Sequence, residues 1–300
     1  MPPPPRPPSP APVAVDAPAP AAHRQPGERR GRAPLGSFRS RGYSLRYREY
    51  GAGPRLLVLT HGLLMDHRMY TRLAPTLAAA GHRVITVDML GHGASEQPHD
   101  MTAYSMAQYG GDVIALLDHL GVEQAVIGGT SLGANVALEA AVAAPRRVRG
   151  LVLEMPVLEN ALPAAAAAFV PLALALRASM GTMRVVAKAT RLIPRSHYLI
   201  DTMIDFARRD PRASLAVLDG LTFGRIAPPP HERRALLHPT LVIGHPSDPI
   251  HPFTDASRVG GELAAAELVT ARSITEWRLS PRYLDARLIA FLDRTWADAP

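Results

Sequence analysis

The chain contains no cysteine and only one lysine, Lys188, among 300 residues. The missing thiols exclude disulfides and thiolate-held metals. The lone lysine beside 32 arginines reads as coding bias. Histidine stops at His251, and the last 49 residues hold none. The N-terminus carries positive charge but no apolar core of a secretory signal, so a cytoplasmic location is expected. The longest apolar run, residues 161–176, is interrupted by Pro163 and Pro171. It falls short of the ~20 residues that cross a bilayer, so a soluble chain without a membrane span is expected. No G-x-G-x-x-G, P-loop or H-E-x-x-H pattern occurs, and His61, His67, His82, His92 and His99 fall on different elements. Neither a cofactor nor a metal is expected.

Net charge is +7 and 20% of residues are charged. Location decides what that excess means. Residues 1–41 hold seven arginines against Asp16 and Glu28, a net +5, leaving +2 for the rest. The folded part is therefore nearly balanced, with no basic stripe interleaved with aromatics, and no nucleic-acid partner is expected. Twelve prolines in the first 34 residues, with almost no large apolar side chains, read as a disordered, partly polyproline II tail over 1–36.

Beyond the tail, strand and helix patterns alternate. Phe38 to Tyr50 alternates apolar or aromatic with polar residues, as a half-buried hairpin does. Apolar runs at 56–59, 84–87, 125–128, 148–155 and 240–244 suit strands covered on both faces. A helix is expected near 69–80. Residues 104–120 place Met106, Tyr109, Val113, Leu116, Leu117 and Leu120 at helical spacing, an amphipathic helix. The class is α/β: a mostly parallel sheet with helices on both faces.

Gly129-Thr130-Ser131-Leu132-Gly133 lies between the run at 125–128 and the Ala-rich helical stretch 135–144. In a strand-turn-helix context, small residues let the backbone fold back and present a serine hydroxyl at the top of a sheet. Ser131 is the candidate nucleophile.

The entry hairpin, His61-Gly62, Gly91-His92-Gly93 and the pentapeptide at Ser131 together resemble the α/β-hydrolase family, over roughly 37–156 and 239–295. The resemblance implies a core of 37–155 and 239–300, and a cap inserted at 156–238 that is helical in character and rich in Ala, Leu and Met. It implies an oxyanion hole from the N–H groups of Leu63 and Leu132. It places the triad acid at Asp248, shortly after the strand at 240–244. The cap's apolar faces suit a small, largely apolar substrate.

The family's histidine comes in the loop after the final strand, expected at 268–271, near Ile274. That loop, Arg272 to Ser280, contains no histidine. Three readings remain open. His251 serves as a displaced base, although Pro249 and Pro252 restrict its reach. Alternatively Glu276 acts as a direct base from the usual loop, or the enzyme works slowly through binding and the oxyanion hole alone. In the third, the chain is a non-catalytic descendant that binds a small ligand or a protein. The reading adopted is a serine hydrolase for ester-type bonds. A serine at the elbow argues against the family members that use an aspartate nucleophile there.

Overall fold

The computed structural model describes residues 33–190, 192, 208–273 and 276–297. The Pro-rich tail up to residue 32, His197, Met203 and Ile274 lie outside them.

The alternating segment forms β1 (Leu35–Ser40) and β2 (Tyr43–Tyr50), an antiparallel hairpin turned by Arg41 and Gly42, both at positive φ. A two-residue turn of that hand follows the natural twist of the strands. The apolar runs form β3 (Leu56–Thr60), β4 (Arg83–Asp88), β5 (Ala125–Thr130), β6 (Val148–Glu154) and β7 (Thr240–Gly244). All residues of β3, β5 and β7 are buried. β8 (Ala266–Thr270) closes the far edge. The order is β1-β2-β4-β3-β5-β6-β7-β8, parallel from β4 to β8, with β2 antiparallel to both neighbours.

Helices α1 (Leu73–Ala79), α2 (Met106–His119) and α3 (Leu132–Ala143) connect these strands. Ser105 caps α2 by accepting the Gln108 N–H. The expected face of α2 is buried from Met106 to Leu117, with Leu120 half-buried just past its end. It joins the core on one side of the sheet. The other side packs α1 and the C-terminal helix against β3, β5 and β7, through Leu73, Leu77, Leu288 and Phe291. The helix expected over 69–80 is split instead. A 3-10 turn, His67–Tyr70, is capped by Asp66, and α1 follows it. Tyr70 at the break is tied by its hydroxyl to Thr60 O and Thr130 Oγ1.

Between β6 and β7 the insertion contributes α4 (Leu162–Ala178), α5 (Met180–Thr190), α6 (Pro211–Thr222) and α7 (Pro230–Arg234). Here one expectation fails, because the two prolines do not break the apolar run. Pro163 sits in the first turn of α4, where a missing N–H costs nothing, and the helix continues through Pro171. With the 3-10 turn before it, a helical stretch of 20 residues runs from Glu159 to Ala178. By length and composition it is long enough to cross a bilayer. After β7 come α8 (Phe253–Glu262), α9 (Glu276–Leu279) and α10 (Arg282–Trp296).

Candidate active site

β3 and β5 are neighbours although β4 separates them in sequence, so the chain leaves the sheet in opposite directions after them. Such a switch point opens a crevice at the C-terminal ends of the strands. The loops that begin at His61 and Ser131 meet there. Ser131 stands between β5 and α3 at φ 57°, ψ −114°, a left-handed conformation that a non-glycine residue adopts only when its surroundings hold it. Two glycines allow this. A Cβ on Gly133 would lie 2.0 Å from Thr60 O, and one on Gly129 2.3 Å from the same atom. The hydroxyl of Thr60 lies within hydrogen-bond distance of both Gly128 O (3.1 Å) and Gly133 O (3.0 Å), stitching β3 to the elbow. The Ser131 N–H donates to Glu154 O at 2.8 Å.

After β7 the chain curls around one carboxylate. Asp248 Oδ1 accepts the N–H of Ile250 (2.8 Å) and of His251 (2.9 Å), the self-bonded turn that aspartate favours. This brings the His251 ring back, with Nδ1 2.9 Å from Asp248 Oδ2 and Nε2 2.8 Å from Ser131 Oγ. The two prolines are no obstacle, because the turn and not free rotation provides the reach. Burial alone would raise the Asp248 carboxyl; the hydrogen bonds from the His251 ring and the two amides outweigh it and hold it below the usual range. The arrangement is a continuous line of acid, imidazole and hydroxyl, able to take a proton from Ser131 and stabilise the imidazolium.

Glu276 is not brought to this line. It is buried at the start of α9, and its carboxylate accepts the Arg272 N–H. Both ring nitrogens of His251 are already engaged by Asp248 and Ser131.

The loop that lacks histidine has another occupant, which sequence reasoning missed. Arg278 sends two hydrogen bonds, 3.1 and 3.0 Å, to Glu154 at the end of β6. Thr130 donates to the same carboxylate, and His245 Nε2 lies 3.3 Å from it. Burial would raise Glu154, but the charge of Arg278 and the contacts of His245 and Arg278 hold it down at about 2. An ionised acid thus sits buried beside the turn that carries Ser131, bonded to Thr130 by its carboxylate and to the Ser131 N–H by its backbone oxygen. The sequence signal was small: one acid at the end of an otherwise apolar strand.

Two buried histidines shape the loop after β3. His61 Nδ1 donates to Gly62 O (2.9 Å) and its Nε2 accepts the Met89 N–H (3.1 Å). His92 Nδ1 donates to Leu90 O (2.9 Å) and its Nε2 accepts the Leu64 N–H (3.2 Å). Each ring takes one amide proton and gives one, so each is neutral in a fixed tautomer. Burial pushes His61 down to about 4 and His92 well below its ordinary value. The N–H groups of Leu63 and Leu132 have no acceptor among the described residues, and both residues line one cavity with Ser131 and His251.

That cavity measures about 490 Å³. α4 and α6 supply most of its wall, with Phe169, Ala173 and Leu218 facing Leu132 and Ile226. Its polar features include Ser131, His251 and an ion pair between Arg177 and Asp219. Elsewhere, Asp66, His67 and Asp88 gather potential ligand atoms within 4.8 Å. They are engaged with protein partners: Arg68 holds Asp66, while Asp88 takes the His67 ring and the amides of His67 and Ala94.

Comparison with known proteins agrees with this architecture. The family model described as alpha/beta hydrolase fold matches residues 55–182. The 2-hydroxymuconate semialdehyde hydrolase of Pseudomonas sp. (strain CF600) is 31% identical over 226 residues, covering 69% of this chain and 74% of that protein. An epoxide hydrolase of Caballeronia sordidicola is 38% identical over 110 residues, 37% of this chain; the match spans only 33% of that enzyme's length. Among solved structures, a hydrolase from Pseudomonas aeruginosa PA01 superposes with a TM-score of 0.68 at 25% identity, covering 86% of this chain and 98% of that one. The enol-lactonase from Burkholderia xenovorans LB400 superposes with a TM-score of 0.70 at 22% identity, over 86% and 99%. The chain belongs to the α/β-hydrolase fold family.

Proposed function

We propose that this protein is a serine hydrolase that cleaves an ester-type bond in a small, largely apolar substrate. The observation that carries this reading is the unbroken contact from Asp248 through His251 to Ser131 Oγ. In the proposed reaction, Ser131 Oγ attacks the carbonyl carbon while its proton passes to His251 Nε2. The oxyanion that forms is received by the N–H groups of Leu63 and Leu132, donors of a kind worth ~3 kcal/mol each at the transition state. Collapse expels the alcohol, which takes the proton back from Nε2. Water then attacks the acyl-serine with His251 as base again, releasing the acid and regenerating the hydroxyl. The insertion at 156–238 acts as a cap, since its helices wall the cavity over Ser131. The relative named for 2-hydroxymuconate semialdehyde supports a hydrolase. The epoxide hydrolase likeness covers too little of that enzyme to carry its substrate over.

A fluorophosphonate probe tests the reading, because it labels only an activated serine. Intact protein should be labelled, Ser131→Ala should not, and His251→Ala should react far more slowly. Glu276→Gln should label like wild type; the reverse pattern would move the base to Glu276. Absence of labelling in folded wild type would favour a ligand-binding protein instead.

A further inference from the structure

We propose that the exposed apolar and basic face of α4 and α5 docks on an anionic lipid surface. α4 carries no acidic residue, and Leu176 is its one fully buried side chain. Most of Glu159–Ala178 is left uncovered by the rest of the protein. By contrast α3, of similar apolar character, is buried from Leu132 to Ala141. A helix apolar on all sides normally lies in a core or in lipid, whereas this one meets the protein on one side only, through Leu176 and the cavity wall. Leu162, Val170 and Leu174 are 39, 54 and 57% exposed on α4; Val185 is 68% exposed on α5, and Phe223, just past α6, 79%. An apolar patch of this kind marks an interaction surface.

Charge selects the occupant. From Asn160 to Thr190 the chain holds Arg177, Arg184 and Lys188 and no acid. Arg184 and Lys188 stand on α5 beside the exposed valines. Among the described residues, the acids beside these helices have partners: Glu159, just before α4, pairs with Arg258, Asp219 pairs with Arg177, and Asp210 caps α6, pairs with His99 and feels the charge of Arg184. Large apolar side chains with neighbouring cations are the pattern of helices that lie in a headgroup layer. A second copy docked through the same face would bring like cations together. Spanning is not possible for α4 as folded, since Phe169 and Ala173 wall the cavity. Leu162, Val170, Leu174 and Phe223 are both exposed and part of that wall, so the docked face opens towards Ser131.

Flotation of the full chain with vesicles of phosphatidylcholine and phosphatidylglycerol at about 7:3 tests the proposal without relying on turnover. Wild type should float with these vesicles and remain largely unbound with phosphatidylcholine alone. Arg184→Glu with Lys188→Glu should lower partitioning at least ~10-fold, and Val185→Ser with Val186→Ser should also lower it. None of these residues lines the cavity. Lys188→Gln, a change at an exposed site, should cost about fivefold even if the double variants fold poorly. The tail reversal Arg29→Glu with Arg30→Glu should leave binding unchanged. The proposal is overturned if wild type does not float, if neutral vesicles bind equally, or if only the tail reversal releases the protein. It is also overturned if sedimentation shows a dimer that Val185→Ser with Val186→Ser disperses, since a second copy then occupies the face.

Discussion

Asp248 orients His251 twice: one carboxylate oxygen takes the His251 backbone N–H at 2.9 Å, and the other lies 2.9 Å from the ring Nδ1. Backbone and side chain of His251 are therefore set by a single carboxylate. Asp248→Asn should keep the turn, because an amide oxygen still accepts the two N–H groups. Its NH2 would face Nδ1, however, and favour the tautomer with hydrogen on Nε2, which cannot accept the serine proton. We expect kcat to fall about 10³- to 10⁴-fold, with a thermal midpoint within a few degrees of wild type. Ester hydrolysis and a melting curve on one preparation decide this. A large loss of stability with activity per folded molecule unchanged would remove Asp248 from the reaction.

Acid should weaken the fold well before the carboxylates matter. His61 is neutral in the fold down to about 4, against an ordinary value of 6.5, and burial also holds His92 well below its ordinary value. Between those pH values the unfolded chain binds protons that the folded chain refuses, so stability rises with pH across that window. For His61 alone the difference is about 3 kcal/mol. Glu154, depressed from 4.5 to about 2, adds its own loss only below pH 4.5. Denaturation midpoints measured from pH 7 to pH 4.5 should fall steadily, and His61→Gln should flatten the slope. A flat profile for wild type would contradict the neutral, buried rings.

Arg278→Met should destabilise by about 3 to 5 kcal/mol, because it leaves the ionised Glu154 in the interior without its arginine, with Thr130 and His245 alone beside it. At this chain length that is roughly 6–15 °C in thermal midpoint. The double variant Arg278→Met with Glu154→Gln should recover much of the loss, and calorimetry of the three proteins gives the coupling directly. Equal midpoints for all three would mean that the pair contributes nothing.

Gly133→Ala should abolish activity and lower soluble yield, since its Cβ would meet Thr60 O at 2.0 Å, a backbone atom that cannot swing aside. Gly261→Ala, where a Cβ meets nothing within 4 Å, is the matched control. Near-native hydrolysis by Gly133→Ala would show that β3 and the elbow are not locked together.

The strand and helix periods were legible because burial on both faces leaves a continuous apolar run, as at Leu56–Thr60, while a half-buried helix leaves the spacing seen from Met106 to Leu117. Ser131 was legible because the strained turn requires glycines on both sides of it. The reach of His251 was not, since the sequence displays Pro249 and Pro252 but not the hydrogen bonds that curl the chain between them. Glu154 with Arg278 escaped for a related reason: the two are 124 residues apart, and nothing local links a strand-end acid to a distant arginine. The 20-residue helix through Pro171 was misread because a proline inside a helix is costly on average, yet the cost falls on one turn and not on the whole element.

Asp248 and His251 are carried on one short turn between β7 and α8 and tied to each other by two contacts. Breathing of the edge strand β8 would separate a pair divided between two loops, but it leaves this one intact. The loop after β8 supplies a structural clamp instead, Arg278 on Glu154. A transplant of residues 245–252 into a related scaffold would carry the Asp248–His251 pair at once, with only the serine left for the host to supply.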